Sequence, residues 1–211
     1  MSLVLAADYR VPDFDHWWAR LTAGLPRLPG LGAHHIVVYR SLQDASRIFV
    51  TIGVRERRPI GALLRSPVMF SWFDSAGVEE IPPMFAGQVV EKLELDPAAD
   101  VAAAPAGPVI VAAIAPVGRL DGVEGPDRLR ASVHAAVARL AASGVRRFWI
   151  YRALDDQAEV MILLQIATER QAEQWIRHPD AAAAFMAEAG AGAYPPLFVG
   201  RLVQAIEVPG T

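Results

Sequence analysis

GAHHIVVYRSLQDASRIFVTI, beginning at Gly32, and GVRRFWIYRALDDQAEVMILL, beginning at Gly144, are two versions of one pattern. An offset of 112 residues lays Tyr39-Arg40 on Tyr151-Arg152, Leu42 on Leu154 and Asp44 on Asp156. It also lays Arg65, Pro67 and Phe73 on Arg177, Pro179 and Phe185. One extra residue then enters near Ala187, and the match resumes with Gly77 on Gly190 and Pro82-Pro83 on Pro195-Pro196. Phe85, Gly87, Val90 and Glu94 meet Phe198, Gly200, Val203 and Glu207. A correspondence that survives a change of offset marks an internal duplication, which must be read before any single element.

Working outward from Gly32, residues 33–40 and 47–55 are rich in β-branched and aromatic side chains, and SLQDAS between them supplies a turn. Upstream, SLVLAADYRV is an apolar strand ended by Pro12, and Asp13 or Asp15 can cap a helix through His16, Trp17, Trp18 and Leu21. Downstream, a helix is expected over about 59–76, interrupted at Ser66-Pro67 because proline disfavours helix for the residue before it. Residues 85–95 close the unit as a strand. The second version repeats the order: strand 109–117, helix 127–143, strands 145–152 and 159–167, helix 169–190 with a break at His178-Pro179, and strand 197–208.

Strand-helix-strand-strand-helix-strand is the split β-α-β order of ferredoxin-like folds. Such a unit covers one sheet face with its helices and leaves the other bare, yet VIVAAIAPV and EVMILLQI are apolar on both alternating faces. The expected fold class is therefore α+β, as two tandem ferredoxin-like β-α-β-β-α-β units packed sheet to sheet in an intrachain α+β barrel. Residues 1–95 form the first unit, the Ala/Pro-rich stretch 96–107 a linker, and 108–211 the second unit.

Composition narrows the function classes. The chain has 211 residues, 53% of them hydrophobic and 20% charged, enough for a sizeable core. With 20 basic against 23 acidic residues and no basic run, it lacks the electrostatic footprint of a nucleic-acid binder. Lys92 is the sole lysine and asparagine is absent, the bias of a GC-rich genome such as an actinobacterial one. No cysteine is present, which excludes disulfides, thiolate nucleophiles and thiolate metal sites. Asp8 interrupts the first apolar run and no cationic segment precedes it, so a secretory signal is not expected. No run of about 18 apolar residues suggests a membrane span. A cytoplasmic protein, monomer or homodimer, is expected.

Histidine is the natural general base or metal ligand near neutral pH. His34 and His35, adjacent on a strand, should point to opposite faces and so cannot chelate one metal together. His35 can then line a pocket. His178 lies at a helix break near Trp175, where the helix-terminal carbonyls favour a cation. Trp17, Trp72, Trp149, Tyr151 and Trp175 are aromatic candidates for sandwiching a flat ligand, core packing being the bland alternative. Ser71-Trp72 of the first copy becomes Ala183-Ala184 in the second, so one copy can keep a cavity that the other fills. Tyr39-Arg40 and Tyr151-Arg152 can polarise a carbonyl and hold a carboxylate, or simply pair across strands. No nucleotide fingerprint, nucleophile-plus-base spacing or metal motif is present.

VPDFDHWWARL, then GAHHIVVYRSLQDASRIFVTIGV, then ALLRSPVMFSWFDSAGV together resemble the dimeric α+β barrel superfamily, nearest its antibiotic-biosynthesis monooxygenase branch. The resemblance spans nearly the whole chain as two fused copies. It rests on the order of elements, the Tyr-Arg that ends the second strand, and the Ser-Pro or His-Pro break. It implies a pocket between each sheet and its own helices, and a hydrophobic or aromatic small-molecule partner. It also implies, for the monooxygenase branch, no resident cofactor. The activities it implies are a cofactor-independent monooxygenase or isomerase on an aromatic or polyketide-like substrate, a non-catalytic hydrophobic-ligand binder, or a haem-binding protein of the chlorite dismutase type, with His178 or His134 as haem ligand. Two departures stand out. The histidine that many monooxygenase-type members carry three residues before the break is Leu63 in one copy and Trp175 in the other, and the asparagine of haem-degrading members has no counterpart.

Overall fold

A computed structural model describes residues 3–55, 60, 61, 64, 67–78, 80–95, 107–118, 125–178, 184, 187, 188 and 196–208. The expected linker, 96–107, lies outside them except for its last residue. The first copy runs β1 (Leu3–Arg10), α1 (Phe14–Gly24), β2 (Ala33–Ser41), β3 (Arg47–Val54), α2 (Pro67–Ser75) and β4 (Met84–Glu94). The second runs β5 (Val109–Pro116), α3 (Gly125–Ala135), α4 (Val137–Ala142), β6 (Val145–Ala153), β7 (Glu159–Ile166), α5 (Glu169–Arg177) and β8 (Phe198–Glu207). The fold is α+β, each copy in the ferredoxin-like order that the duplication predicts. Every strand pair in register is antiparallel.

Local chemistry sets the boundaries. Asp13 caps α1, its Oδ1 accepting the His16 N–H at 2.9 Å. Thr168 caps α5 through the Gln171 N–H. The described part of the helix expected over 59–76 includes α2, which starts at Pro67, where a missing N–H is harmless and the fixed φ suits a first turn. The helix expected over 127–143 is split at Ala136, which leaves helical geometry between α3 and α4. Gly32 and Gly144 occupy equivalent positions before β2 and β6, both at positive φ (76° and 91°), where a side chain would be strained.

Packing divides the chain into two compact units. The first comprises Met1–Ala86 with Leu202–Thr211. Its strands β1 and β2 flank β3, with Leu3 opposite Val54 and Ala33 opposite the same residue. The C-terminal segment joins this unit: the Val208 N–H donates to the His34 carbonyl at 2.9 Å, and Val208 is buried in its core with Trp17, Ile36, Val50 and Phe73. The second unit comprises Gly87–Arg201. Its order is β4-β6-β7-β5-β8, with β4 contributing from Gly87 and β8 as far as Arg201. The last strand of each copy thus starts in one unit and finishes in the other.

The β7 run is buried from Val160 to Ile166, so both its faces are covered, as a sequence apolar at every one of these positions except Gln165 predicts.

Candidate functional site

A cavity of about 620 Å³ opens inside the first unit, between its sheet and α1 and α2. That volume suits a drug-sized ligand. Leu5, Ala7 and Tyr9 of β1 and Val50 and Ile52 of β3 form its floor. Register explains why: Leu5 faces Ile52 and Ala7 faces Val50, so these side chains project from the same sheet face. The small Ala7 leaves room beneath the helices. Trp17, Arg20 and Leu21 of α1 form one wall, and Met69, Trp72 and Phe73 of α2 the other.

The aromatic side chains meet edge to face. Tyr9 lies 6.3 Å from Trp17 at 63° and 5.7 Å from Phe73 at 90°. Trp72 lies 5.2 Å from Phe73 at 69°. Such contacts favour fixed geometry over mobile packing. Trp17 is fully buried, and its indole Nε1 finds no hydrogen-bond partner among the described residues. Burial pushes the Tyr9 hydroxyl well above the ordinary phenol value, and the neighbouring Trp17 indole opposes that rise. Tyr9 therefore stays a protonated donor at neutral pH.

Among the eight sequence candidates, Trp17 and Trp72 line this cavity; His35, Tyr39, Trp149, Tyr151, Trp175 and His178 do not. Val37 and Tyr39 pair with Thr51 and Phe49, which alternate with the cavity-facing Val50 and Ile52, so they lie on the opposite sheet face. Tyr39 is buried there 6.4 Å from Phe49. Its neighbour Arg40 donates from Nε to the Ala45 carbonyl at 2.6 Å and lies 4.9 Å over the Phe14 ring, which ties the β2–β3 turn to α1. In the second unit, Trp149 and Tyr151 share a face of β6, opposite Leu163 and Met161. Burial pushes the Tyr151 hydroxyl up to about 12. Trp175 is half-buried on α5, and His178 is exposed at its C-cap, donating its backbone N–H to the Gln174 carbonyl.

One expectation is overturned. His34 and His35 do not point to opposite faces, because a bulge between Ala33 and His35 breaks the alternation. Their rings lie 4.4 Å apart at 74°, both over Gly53. A Cβ on Gly53 would come 2.0 Å from His35 Cε1 and 2.8 Å from His34 Cε1. Even so, no group of three or more His, Cys, Asp or Glu among the described residues is placed to hold a metal.

Comparison of the copies separates core from candidate site. The 112-residue offset places Leu129 where Trp17 stands, and both are fully buried against their own sheets. Tyr9 pairs with Ile48 as Ala115 pairs with Val160, so Ala115 replaces Tyr9. Ala184 replaces Trp72. Ordinary aliphatic residues thus meet the structural demands of this layer in one copy, while aromatic ones line a cavity in the other. Sequence reasoning missed Tyr9, although a tyrosine in an otherwise apolar strand was a signal. It also missed Arg20 and Arg27, which line the same cavity.

No histidine belongs to the described lining, and the two sequence candidates for a haem ligand are both exposed, His134 on α3 and His178 at the C-cap of α5, so neither reaches this cavity.

No protein-family model matches the chain, and no curated protein matches it. Solved structures do. An anthrone oxidase-like protein superposes with a TM-score of 0.70 at 13% identity, covering 98% of this chain and 93% of its own. A candidate monooxygenase of Fusobacterium nucleatum gives 0.62 at 6% identity, covering 100% and 96%. A monooxygenase-like protein of Listeria innocua gives 0.50 at 12% identity, covering 95% and 93%. At these identities the likeness establishes the fold alone, a ferredoxin-like α+β architecture. Among the described residues, no helix is long and apolar enough to cross a membrane.

Proposed function

We propose that the first unit binds a flat, hydrophobic aromatic or polyketide-like molecule and acts on it as a cofactor-independent monooxygenase or isomerase. The observation that carries this reading is the aromatic lining of Tyr9, Trp17 and Trp72 around a cavity of about 620 Å³, replaced by Ala115, Leu129 and Ala184 in the other copy. Stacking and apolar contact would hold the rings, and the protonated Tyr9 hydroxyl would address an oxygen atom of the ligand. No Asp, Glu or His belongs to the described lining, so the substrate would have to be acidic enough to ionise with little help. An electron-rich ligand carbanion or enolate can pass electrons to dioxygen directly, and reprotonation at another atom gives the isomerase outcome.

The missing base also supports a second reading, a non-catalytic binder of the same class of ligand. Oxygen consumption in metal-free buffer across a panel of anthrones and quinols, with tryptophan quenching as the binding readout, separates the two. Binding without turnover sinks the enzyme reading; no binding by any aromatic probe sinks both. A monomer or homodimer acting in the cytoplasm completes the proposal.

A further inference from the structure

The cavity-facing stripe of α1 and of the short 3-10 turn that follows it, Leu25–Arg27, carries two charges among its apolar residues. Trp17, Leu21, Gly24 and Leu28 recur at helical spacing, and Arg20 and Arg27 fall within the same stripe, seven residues apart; all six line the cavity. Both arginines are exposed, so they stand at the mouth rather than the floor. The lining has no acidic residue to match them.

Neither arginine has a carboxylate partner among the described residues. The contrast is with ion-paired arginines elsewhere, although Arg55, Arg152 and Arg170 likewise have no carboxylate partner among the described residues. Arg10 pairs with Asp44, Arg47 with Asp8, Arg147 with Glu94, Arg177 with Glu173 and Arg201 with Glu169. The second copy adds to that contrast. Ser132 stands at the position of Arg20, and Arg139, at the position of Arg27, is 3.4 Å from Glu188. At these two positions the second copy thus keeps no unmatched cation.

We infer that the ligand of this cavity is an aromatic anion, its rings against the wall that Trp72 presents and its carboxylate or enolate oxygens held at the mouth by Arg20 and Arg27. The inference rests on the cavity being a ligand site, as proposed above, and adds the charge of what enters it. Guanidinium groups suit paired oxygens through parallel N–H donors. Cations at the mouth would also lower the ionisation cost of an acidic substrate, which the lining has no base to meet.

The test compares anthraquinone-2-carboxylate with anthraquinone-2-carboxamide, a neutral probe of nearly the same shape, by tryptophan quenching. The unmodified protein should bind the carboxylate about tenfold more tightly, and the preference should shrink as salt is raised. Arg20→Gln and Arg27→Gln together should bring the two probes to near parity with the circular dichroism spectrum unchanged. Equal affinity in the unmodified protein, or a preference that survives both substitutions, overturns the inference while leaving the cavity reading intact. Failure of both probes to bind removes the cavity reading, and the inference with it.

Discussion

Trp17 on α1 and Trp72 on α2 meet edge to face, with ring centroids 6.3 Å apart and planes at 75°. The contact joins the two helices that wall the cavity, but the two rings are not equivalent. Trp17 is fully enclosed and Trp72 only half so. Trp17→Ala is expected to cost about 3–5 kcal/mol of stability, as large aromatic truncations in a core do. Trp72→Ala should cost clearly less and yet weaken binding of aromatic probes. Urea titration and tryptophan quenching on the two variants read these effects separately.

Gly53 faces His35 in the β2–β3 ladder, and its missing side chain makes room for both imidazoles. Gly53→Ala forces the rings to move and should destabilise by about 1–3 kcal/mol. Because the obstacle is the far end of a side chain, adding His35→Ala should recover most of that loss. If the double variant is no better than the single one, the crowding is not what Gly53 relieves.

Acid should weaken the fold through the same pair. Burial, then the neighbouring His34, lowers the proton affinity of His35, and Glu207 opposes them. A histidine depressed in the folded state binds its proton more readily when unfolded. Its contribution is present above the usual histidine range and is lost as pH falls through it. His35→Gln should therefore show a shallower fall in Tm between neutral and mildly acid pH. Parallel curves for the two proteins would contradict this.

At the alkaline end the sign reverses. Tyr9 and Tyr151 hold their protons more tightly when folded, both because of burial. An acid raised in the folded state favours folding below the unfolded value, here the ordinary phenol value of 10.0, and loses that contribution as pH rises past it. Tyr9→Phe and Tyr151→Phe should each flatten the alkaline decline in stability. In spectrophotometric titration, each should also remove one late-ionising phenol.

Much of this architecture is legible in the residues. The Tyr39-Arg40 and Tyr151-Arg152 correspondences locate β2 and β6 correctly, and Asp13 caps α1 as its position before the tryptophans suggests. The alternation rule fails at His34 because a bulge adds one residue to the strand. Gly32 stands one residue before the shift, as Gly144 does in the second copy, where register breaks between Val145 and Arg147, but a glycine ahead of a strand reads equally as a plain turn. Trp17 and Trp72 could be picked out as aromatic side chains, and Trp72 as one the duplicate replaces. Tyr9, Arg20 and Arg27 were harder to find. Matching β1 with β5 needs a different offset from the one that aligns the later elements, and strand pairing supplies it. The arginines look like ordinary surface charge until the cavity shows what they border.

The crossing of β4 and β8 from one unit to the other has a genetic consequence. A gene fragment ending after β4 encodes no segment that can take the place of Leu202–Thr211 in the first unit, and one starting at β5 lacks Gly87–Glu94. A chain cut between Glu94 and Val109 therefore leaves each unit short of residues that the other piece supplies.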